Sequence, residues 1–545
     1  MSLITPLESF YQQVEKRPDK IFLKQPVDGD IKTYTWKGFD DQVRRVAAGL
    51  HKLGLEKGSH ISILSKNCAE WFIADMAIML AGCVSVPIFP TAGKDTIQYV
   101  LKHAGCKAIF MGKLDDADAQ FAAIPDEVPT IGFSYVKDMA NISWAEMLEH
   151  EPLEGNPIPD LDDVMTIIYT SGSTGNPKGV VHPYRSISWA ASNSLKELNV
   201  DENDRILSYL PLAHITERVL IESASFYSAS EIHFLESLDT FQRDIKWCDP
   251  TLFVSVPRLW TRFQMGVLAK MPQKKLNILL SIPIINKIVA KKIREQLGLN
   301  SARLCASGSA PISPSTIRWF ARIGVQISEG WGMTENSAYG TSCVPFRLDK
   351  VGSIGRPYEG VTLRISEDGE LQVKGPCNMR EYYLEPEKTA EVFTEDGFLR
   401  TGDKGEIDNE GYVRITGRLK DIFKTAKGKY VTPVPIESLL MENSNIEQVC
   451  VTGSSLKQPI ALVVLSDEAK TLPKDEIEVS LRKTLEKVNG KLESHQVLDR
   501  IVVLEEPWTI ENNLLTPTLK VKRHVIEEKL DGVINQNHKG DVVFA

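Results

Sequence analysis

The stretch YTSGSTGNPKGV, residues 169–180, follows the apolar run VMTIIYT (164–170) and gathers Thr170, Ser171, Ser173, Thr174 and the glycines Gly172, Gly175 and Gly179 into one segment. Glycines let a backbone approach a polyphosphate closely, while hydroxyls, amide N–H groups and Lys178 supply donors to its oxygens. The segment lacks the GK[ST] ending of a Walker loop, so it reads as a phosphate cradle of another kind. Gly/Ser/Thr runs in general are flexible surface loops; this order of residues, set behind an apolar strand, favours the cradle.

Working outward, residues 35–110 alternate helical and strand patterns: an amphipathic stretch over Phe39–Leu53, HISIL (60–64), a helix over Cys68–Ala81, and VSVPIF (84–89). That alternation is the sequence form of βαβ units and a largely parallel sheet. AIFMG (108–112), TLFVSV (251–256) and VQIS (325–328) extend it into one large α/β core, and the acidic, Pro-rich EHEPLEGNPIPDLDD (149–163) reads as an exposed connector. From Leu363 to Ile415, short β-type runs separated by DG and EG turns predict a meander or small barrel. The residues after Gly417 mix strand and helix signals and are numerous enough for a domain of their own. The expectation is an α/β fold: a large N-terminal domain (1–416) of parallel-type sheets with helices and a small barrel-like part, then a smaller α+β C-terminal domain (417–545).

Composition narrows the function classes. The 545 residues are 42% hydrophobic and 25% charged, which excludes collagen-like and wholly disordered chains. With 63 basic and 72 acidic side chains the formal charge is -9, so no general affinity for nucleic acid is expected. The eight cysteines form no CxxC pair and no cluster of metal-binding spacing, and read as buried thiols. Glu8 stands where an export signal needs a basic residue and an apolar run, and Met76–Phe89 is too short to cross a bilayer, so a cytoplasmic protein is expected.

Five further segments occur in order: SGSAP (307–311), EGWGMTE (329–335), RTGD (400–403), GRLKDIFKTAKGKYV (417–431) and TPTLKVKR (516–523). With residues 169–180, this set resembles the signatures of the adenylate-forming superfamily of acyl-CoA synthetases, luciferases and peptide-synthetase adenylation domains. The resemblance implies an ATP and AMP site built from Thr170, Ser171, Gly172, Ser173, Thr174, Gly175, Lys178, Ser309, Ala310, Pro311, Trp331, Gly332, Asp403 and Arg418. It implies that Glu335 ligates Mg2+, that the Thr334 hydroxyl reaches a phosphate oxygen, and that Trp331 stacks on adenine. Asp403 would accept from the ribose hydroxyls, with Arg418 bridging ribose or phosphate. Lys420 matches the hinge on which the small domain turns, and Gly428 the loop facing the CoA channel. Lys520 matches the lysine that reaches the α-phosphate during adenylation; Leu519 stands where a glycine is usual, and Lys522 is the alternative register. The chemistry agrees, because a carboxylate must be activated as a mixed anhydride with AMP before a thiol can attack it. Such a step needs positioning and charge stabilisation rather than an enzyme nucleophile.

Other blocks resemble long-chain fatty acyl-CoA synthetases: residues 86–110, SYLPLAHITERV (208–219), VSVPRLW (254–260) and residues 396–420. They imply a medium- to long-chain fatty acid, with ATP and CoA as co-substrates and His214 at the acyl pocket. A ligase for another apolar or aryl acid, acyl transfer to a carrier-protein thiol, and a nonenzymatic acyl or nucleotide sensor stay open. Residues 264–297 carry Lys270, Lys274, Lys275, Lys287, Lys291, Lys292 and Arg294 against Glu295 alone. On an acidic protein this basic stretch reads either as a hairpin contacting anionic membrane or as a solvated face.

Overall fold

The computed structural model describes residues 3–136, 138–170, 176–454, 456–510, 512–516, 520–536 and 540–545, and every count below is of those residues. The helix over Trp36–Lys52 starts three residues before the apolar period suggests, because the Thr35 hydroxyl accepts the Gly38 amide and caps it. The next helix, Ala69–Leu80, buries every one of its residues. It touches the strands His60–Leu64 and Val84–Ile88 on one side and Ile21–Val27 on the other, so a helix apolar all round lies between two sheets.

Those sheets have eight and nine strands. In the first, the strands at 60–64, 84–88, 108–111, 130–132 and 142–143 run parallel, and Val164–Thr170 joins them parallel to Val84–Ile88. Lys178–Pro183 then returns antiparallel, with Thr170 opposite Lys178. The phosphate-type segment therefore connects a hairpin, unlike a Walker loop, which leads into a helix. The second sheet places the parallel strands Leu252–Ser255, Leu304–Ser307 and Ile327–Trp331 side by side, bounded by antiparallel edges at Thr341–Ser342 and Arg356–Pro357. The expected α/β core is built on two mixed sheets sharing one large apolar cluster, with a second cluster behind Leu252–Trp331. Residues 362–418 form the expected meander, four antiparallel strands.

From Phe423 onward the chain packs on itself. Strands Ile446–Thr452, Ile460–Leu465, Ile501–Leu504 and Val542–Phe544 make one sheet. Alternation along Val449, Cys450 and Val451, and along Ala461, Leu462 and Val463, sends neighbours into separate clusters on its two faces. The eight cysteines are free and buried. Among the described residues no helix is long and apolar enough to cross a membrane.

Candidate active site

The carboxyl end of Ile327–Trp331 carries the first half of the site. Gly332 is required by close approach, because a Cβ there would lie 2.6 Å from the Ala338 carbonyl carbon. The Trp331 ring is half-buried against Gly340, and its indole N–H donates to Asp403 Oδ2 at 2.9 Å. Asp403 and Arg418 face each other across two strands of the meander, and Arg418 Nε lies 3.0 Å from Asp403 Oδ1. Both oxygens of this buried carboxylate are therefore engaged before any ribose arrives; each keeps a further lone pair for a hydroxyl. Ser309, Ala310 and Pro311 form an exposed rim on the loop after Leu304–Ser307, with Ser309 at φ +65°.

Glu335 and Thr334 sit in the short turn Thr334–Asn336. Tyr382 donates its hydroxyl to Glu335 Oε1 at 2.8 Å, and the Lys178 ammonium lies 4.6 Å from the centre of the same tyrosine ring. Desolvation, then Lys388 and Lys420, hold the Lys178 pKa below its ordinary range, with Glu335 opposing. Buried His182 donates from Nε2 to the Thr334 carbonyl at 2.8 Å, and desolvation pushes its pKa down to about 4. The ring is neutral, so its Nδ1 accepts, and Ser186 and Ser337 hydroxyls lie 3.1 and 3.3 Å away.

The C-terminal unit closes the other side. Lys520 remains open to solvent along its length, yet its ammonium is crowded enough that desolvation and Arg418 lower its pKa, with Asp403 and Glu335 opposing. The same ammonium acts on His214, whose pKa falls to about 4 chiefly through desolvation. His214 is half-buried beside Phe89, with ring centres 6.5 Å apart. Lys522 points elsewhere, donating to Asn513 Oδ1 at 2.5 Å. In this pose Arg258 also pairs with Glu447 of the C-terminal unit.

Of the residues singled out in the sequence, Lys178, Glu335, Trp331, Asp403, Arg418, His214 and Lys520 are thus linked by these contacts, with Thr334 and Gly332 next to Glu335 and Trp331 in the chain and Thr170 opposite Lys178. Exposed Lys420 lies in the turn Leu419–Asp421, between the last meander strand and Phe423, near enough to act on Lys178. Gly428 stands apart in the hairpin of Phe423–Lys424 and Tyr430–Val431, where φ +76° rather than lack of space calls for glycine. That hairpin bonds to Leu456 and Gln458 of its own unit. Ser171, Gly172, Ser173, Thr174 and Gly175 lie outside the described residues, as does Leu519.

Sequence reading missed His182 and Tyr382. Neither belongs to a quoted motif, and only the pairing of Glu381–Tyr382 with Val180–Val181 brings Tyr382 to Glu335. No group of three His, Cys, Asp or Glu able to hold a metal alone occurs among the described residues. A single carboxylate, Glu335, fits an Mg2+ ion that takes its other ligands from phosphate and water.

The AMP-binding enzyme family matches residues 10–383, and the AMP-binding enzyme C-terminal domain matches 420–540. Fatty acyl-CoA synthetase A of Dictyostelium discoideum is 31% identical, across 93% of this chain and 86% of its own length. A long-chain-fatty-acid–CoA ligase of Mycobacterium bovis is 29% identical, across 94% and 93%. Among solved structures, the adenylation domain of a Mycobacterium chelonae carboxylate reductase superposes with a TM-score of 0.83 at 22% identity, over 97% of this chain and 90% of that one. The anthranilate CoA ligase AuaEII, in complex with anthranoyl-AMP, does so with 0.81 at 20% identity, over 98% of both. These last two likenesses concern the fold.

Proposed function

The chain belongs to the AMP-binding enzyme family, and on that footing we propose that it is an ATP-dependent ligase that converts a medium- to long-chain fatty acid to its CoA thioester. A fatty carboxylate oxygen attacks the α-phosphorus of ATP and the bond to the β-phosphate oxygen breaks, leaving acyl-AMP and pyrophosphate. The CoA sulfur then attacks the acyl carbonyl carbon, and the bond to the AMP oxygen breaks. Neither step uses a nucleophile from the protein.

The observation that carries this reading is the position of Lys520, which is carried by the C-terminal unit while its ammonium senses Asp403, Glu335 and His214 of the N-terminal unit, with Arg418 at the start of its own. Lys178 is repelled by Lys388 and Lys420, and Lys520 by Arg418, a concentration of positive charge that favours a polyanionic occupant. In this scheme Trp331 stacks on adenine and Ser309, Ala310 and Pro311 line its edge. Asp403, oriented by Trp331 and Arg418, holds ribose. Thr170 and Lys178, with Ser171, Gly172, Ser173, Thr174 and Gly175, hold the phosphates. Glu335 would hold Mg2+, which neutralises phosphate charge when bound, and the Thr334 hydroxyl would reach a phosphate oxygen. Lys520 stabilises the charge growing on the α-phosphate as pyrophosphate leaves. We divide the chain at residues 416 and 417, with Lys420 as hinge; rotation there would exchange Lys520 for the Gly428 hairpin and admit CoA. His214, neutral at working pH, borders the acyl group.

Support for a fatty acid comes from the two relatives named above. The test is pyrophosphate release across saturated acids of about eight to eighteen carbons and a set of aryl acids, with and without CoA. An apolar acyl site contributes about 0.8 kcal/mol per methylene, so kcat/KM should rise about fourfold per carbon until the site ends. A preference for aryl acids, or turnover that requires a carrier-protein thiol in place of CoA, would replace the proposed substrate with one of the rival readings.

A further inference from the structure

The basic stretch seen in the sequence folds as helices Pro257–Lys270, Gln273–Ser281 and Ile285–Leu297, the last two forming a hairpin. Its base is firmly anchored. Leu276, Ala290, Ile293 and Leu297 pack with Trp319 and Phe320, Trp319 donates to Gln273, and Arg322 donates to Asn277. Its tip is not covered. Ile278, Ile282, Ile284, Ile285 and Ile288 are all exposed, Ile284 by 74% and Ile278 by 62%, so large apolar side chains crowd one turn of chain on either side of the bend. Ile284 adopts φ +71°, a conformation that costs a β-branched residue energy, and it does so with its side chain in water.

Along the hairpin and at the end of the preceding helix stand Lys270, Lys274, Lys275, Lys287, Lys291 and Lys292, all exposed, with Lys287 nearest the bend. Among the described residues only Lys291 has an ion-pair partner, Glu295 at 3.7 Å. The rest of a chain of charge -9 is acidic, so the hairpin is a local positive pole with an apolar point. Two copies meeting tip to tip would oppose lysine to lysine. A bilayer with anionic headgroups offers what the tip lacks: an apolar layer for the isoleucines and negative charge, within a Debye length, for the lysines.

We infer that the hairpin tip, with Ile278, Ile282, Ile284, Ile285 and Ile288 inserted and the lysines on the headgroups, docks this protein on the surface of an anionic membrane. The inference does not rest on the ligase reading and is measured without nucleotide. The full chain is floated with vesicles of phosphatidylcholine, with or without about 30% phosphatidylserine, at about 0.05 and 0.5 M salt. Binding is expected to the anionic vesicles at low salt and to be largely lost at high salt. Each lysine should contribute about fivefold, so Lys274→Ala/Lys275→Ala should lower the partition coefficient about 25-fold. Ile284→Asn/Ile288→Ser should lower it at least about 25-fold, and Leu238→Ser/Val479→Ser, at exposed sites elsewhere, should leave it unchanged. Circular dichroism melts would confirm that the variants fold. Absence of flotation at low salt overturns the inference. So does flotation indifferent to both hairpin variants, or a concentration-dependent dimer that those variants dissociate.

Discussion

Replacing Lys520 by alanine separates the two half-reactions. An ammonium about 4 Å from a phosphate oxygen, at an effective dielectric constant near 20, is worth about 4 kcal/mol. Lys520 is solvent-open along its length, so water screens part of this, leaving about 3 to 4 kcal/mol and a loss of about 100- to 1000-fold in the adenylation rate. The assay is acid-dependent pyrophosphate release, run beside thioester formation from supplied acyl-AMP and CoA. The first should collapse and the second survive, because the proposed hinge motion carries Lys520 away before the thiol attacks. Lys522→Ala, which loses only a bond to Asn513, should leave both nearly unchanged. Since the lowered pKa of Lys520 must still leave it protonated, adenylation by the native chain should decline with rising pH before the ordinary lysine range is reached. Equal loss of both half-reactions in the Lys520 variant, or a matching loss in the Lys522 variant, would refute the reasoning.

Tyr382→Phe keeps the ring beneath Lys178 but removes the hydroxyl from Glu335; a hydrogen bond to a charged group is worth about 1.5 to 3 kcal/mol, so kcat/KM for Mg-ATP should fall at least about tenfold, with the melting temperature little changed. Unchanged kinetics at limiting Mg2+ would remove Tyr382 from the site. Glu217 is a second case, in the buried layer beneath the cleft: desolvation raises its pKa to about 8, against bonds from Ser208 and the Tyr209 amide that favour the charged form. Because the folded state holds this proton more tightly than the unfolded one, its contribution is full below about pH 4.5 and is lost as pH rises toward 8. Glu217→Gln, which keeps the acceptor oxygen, should therefore gain stability over the native chain between those limits, by at most about 5 kcal/mol. Denaturant melts at pH 5 and pH 8 giving the same difference between the two proteins would contradict it.

Much of this protein was legible in its residues. Apolar runs located the strands at 60–64, 84–88, 108–111, 164–170 and 252–255 to within a residue, since a buried strand must be continuously apolar whatever its neighbours are. The ordered motifs resemble those of adenylate-forming enzymes, and the family match over residues 10–383 bears that resemblance out. Two features escaped. The antiparallel pairing of Val164–Thr170 with Lys178–Pro183 and the sorting of strands between two sheets depend on which segments pair, and no local pattern encodes a partner. Tyr382 looks like any half-buried tyrosine until its strand pairs beside Lys178–Pro183.

By itself, then, the sequence determined which chemical groups are present and which segments are strand or helix, because both follow from side-chain type and short-range spacing. Tertiary structure alone decided which of those groups meet: Trp331 with Asp403 across 72 residues, Tyr382 with Glu335, and Lys520 rather than Lys522 with Asp403, Arg418 and Glu335. It also decided that five isoleucines remain in water while their neighbours are buried. The reason is physical. A contact between distant residues forms only when strand register and the packing of whole layers close the loops between them, and that depends on the entire chain at once.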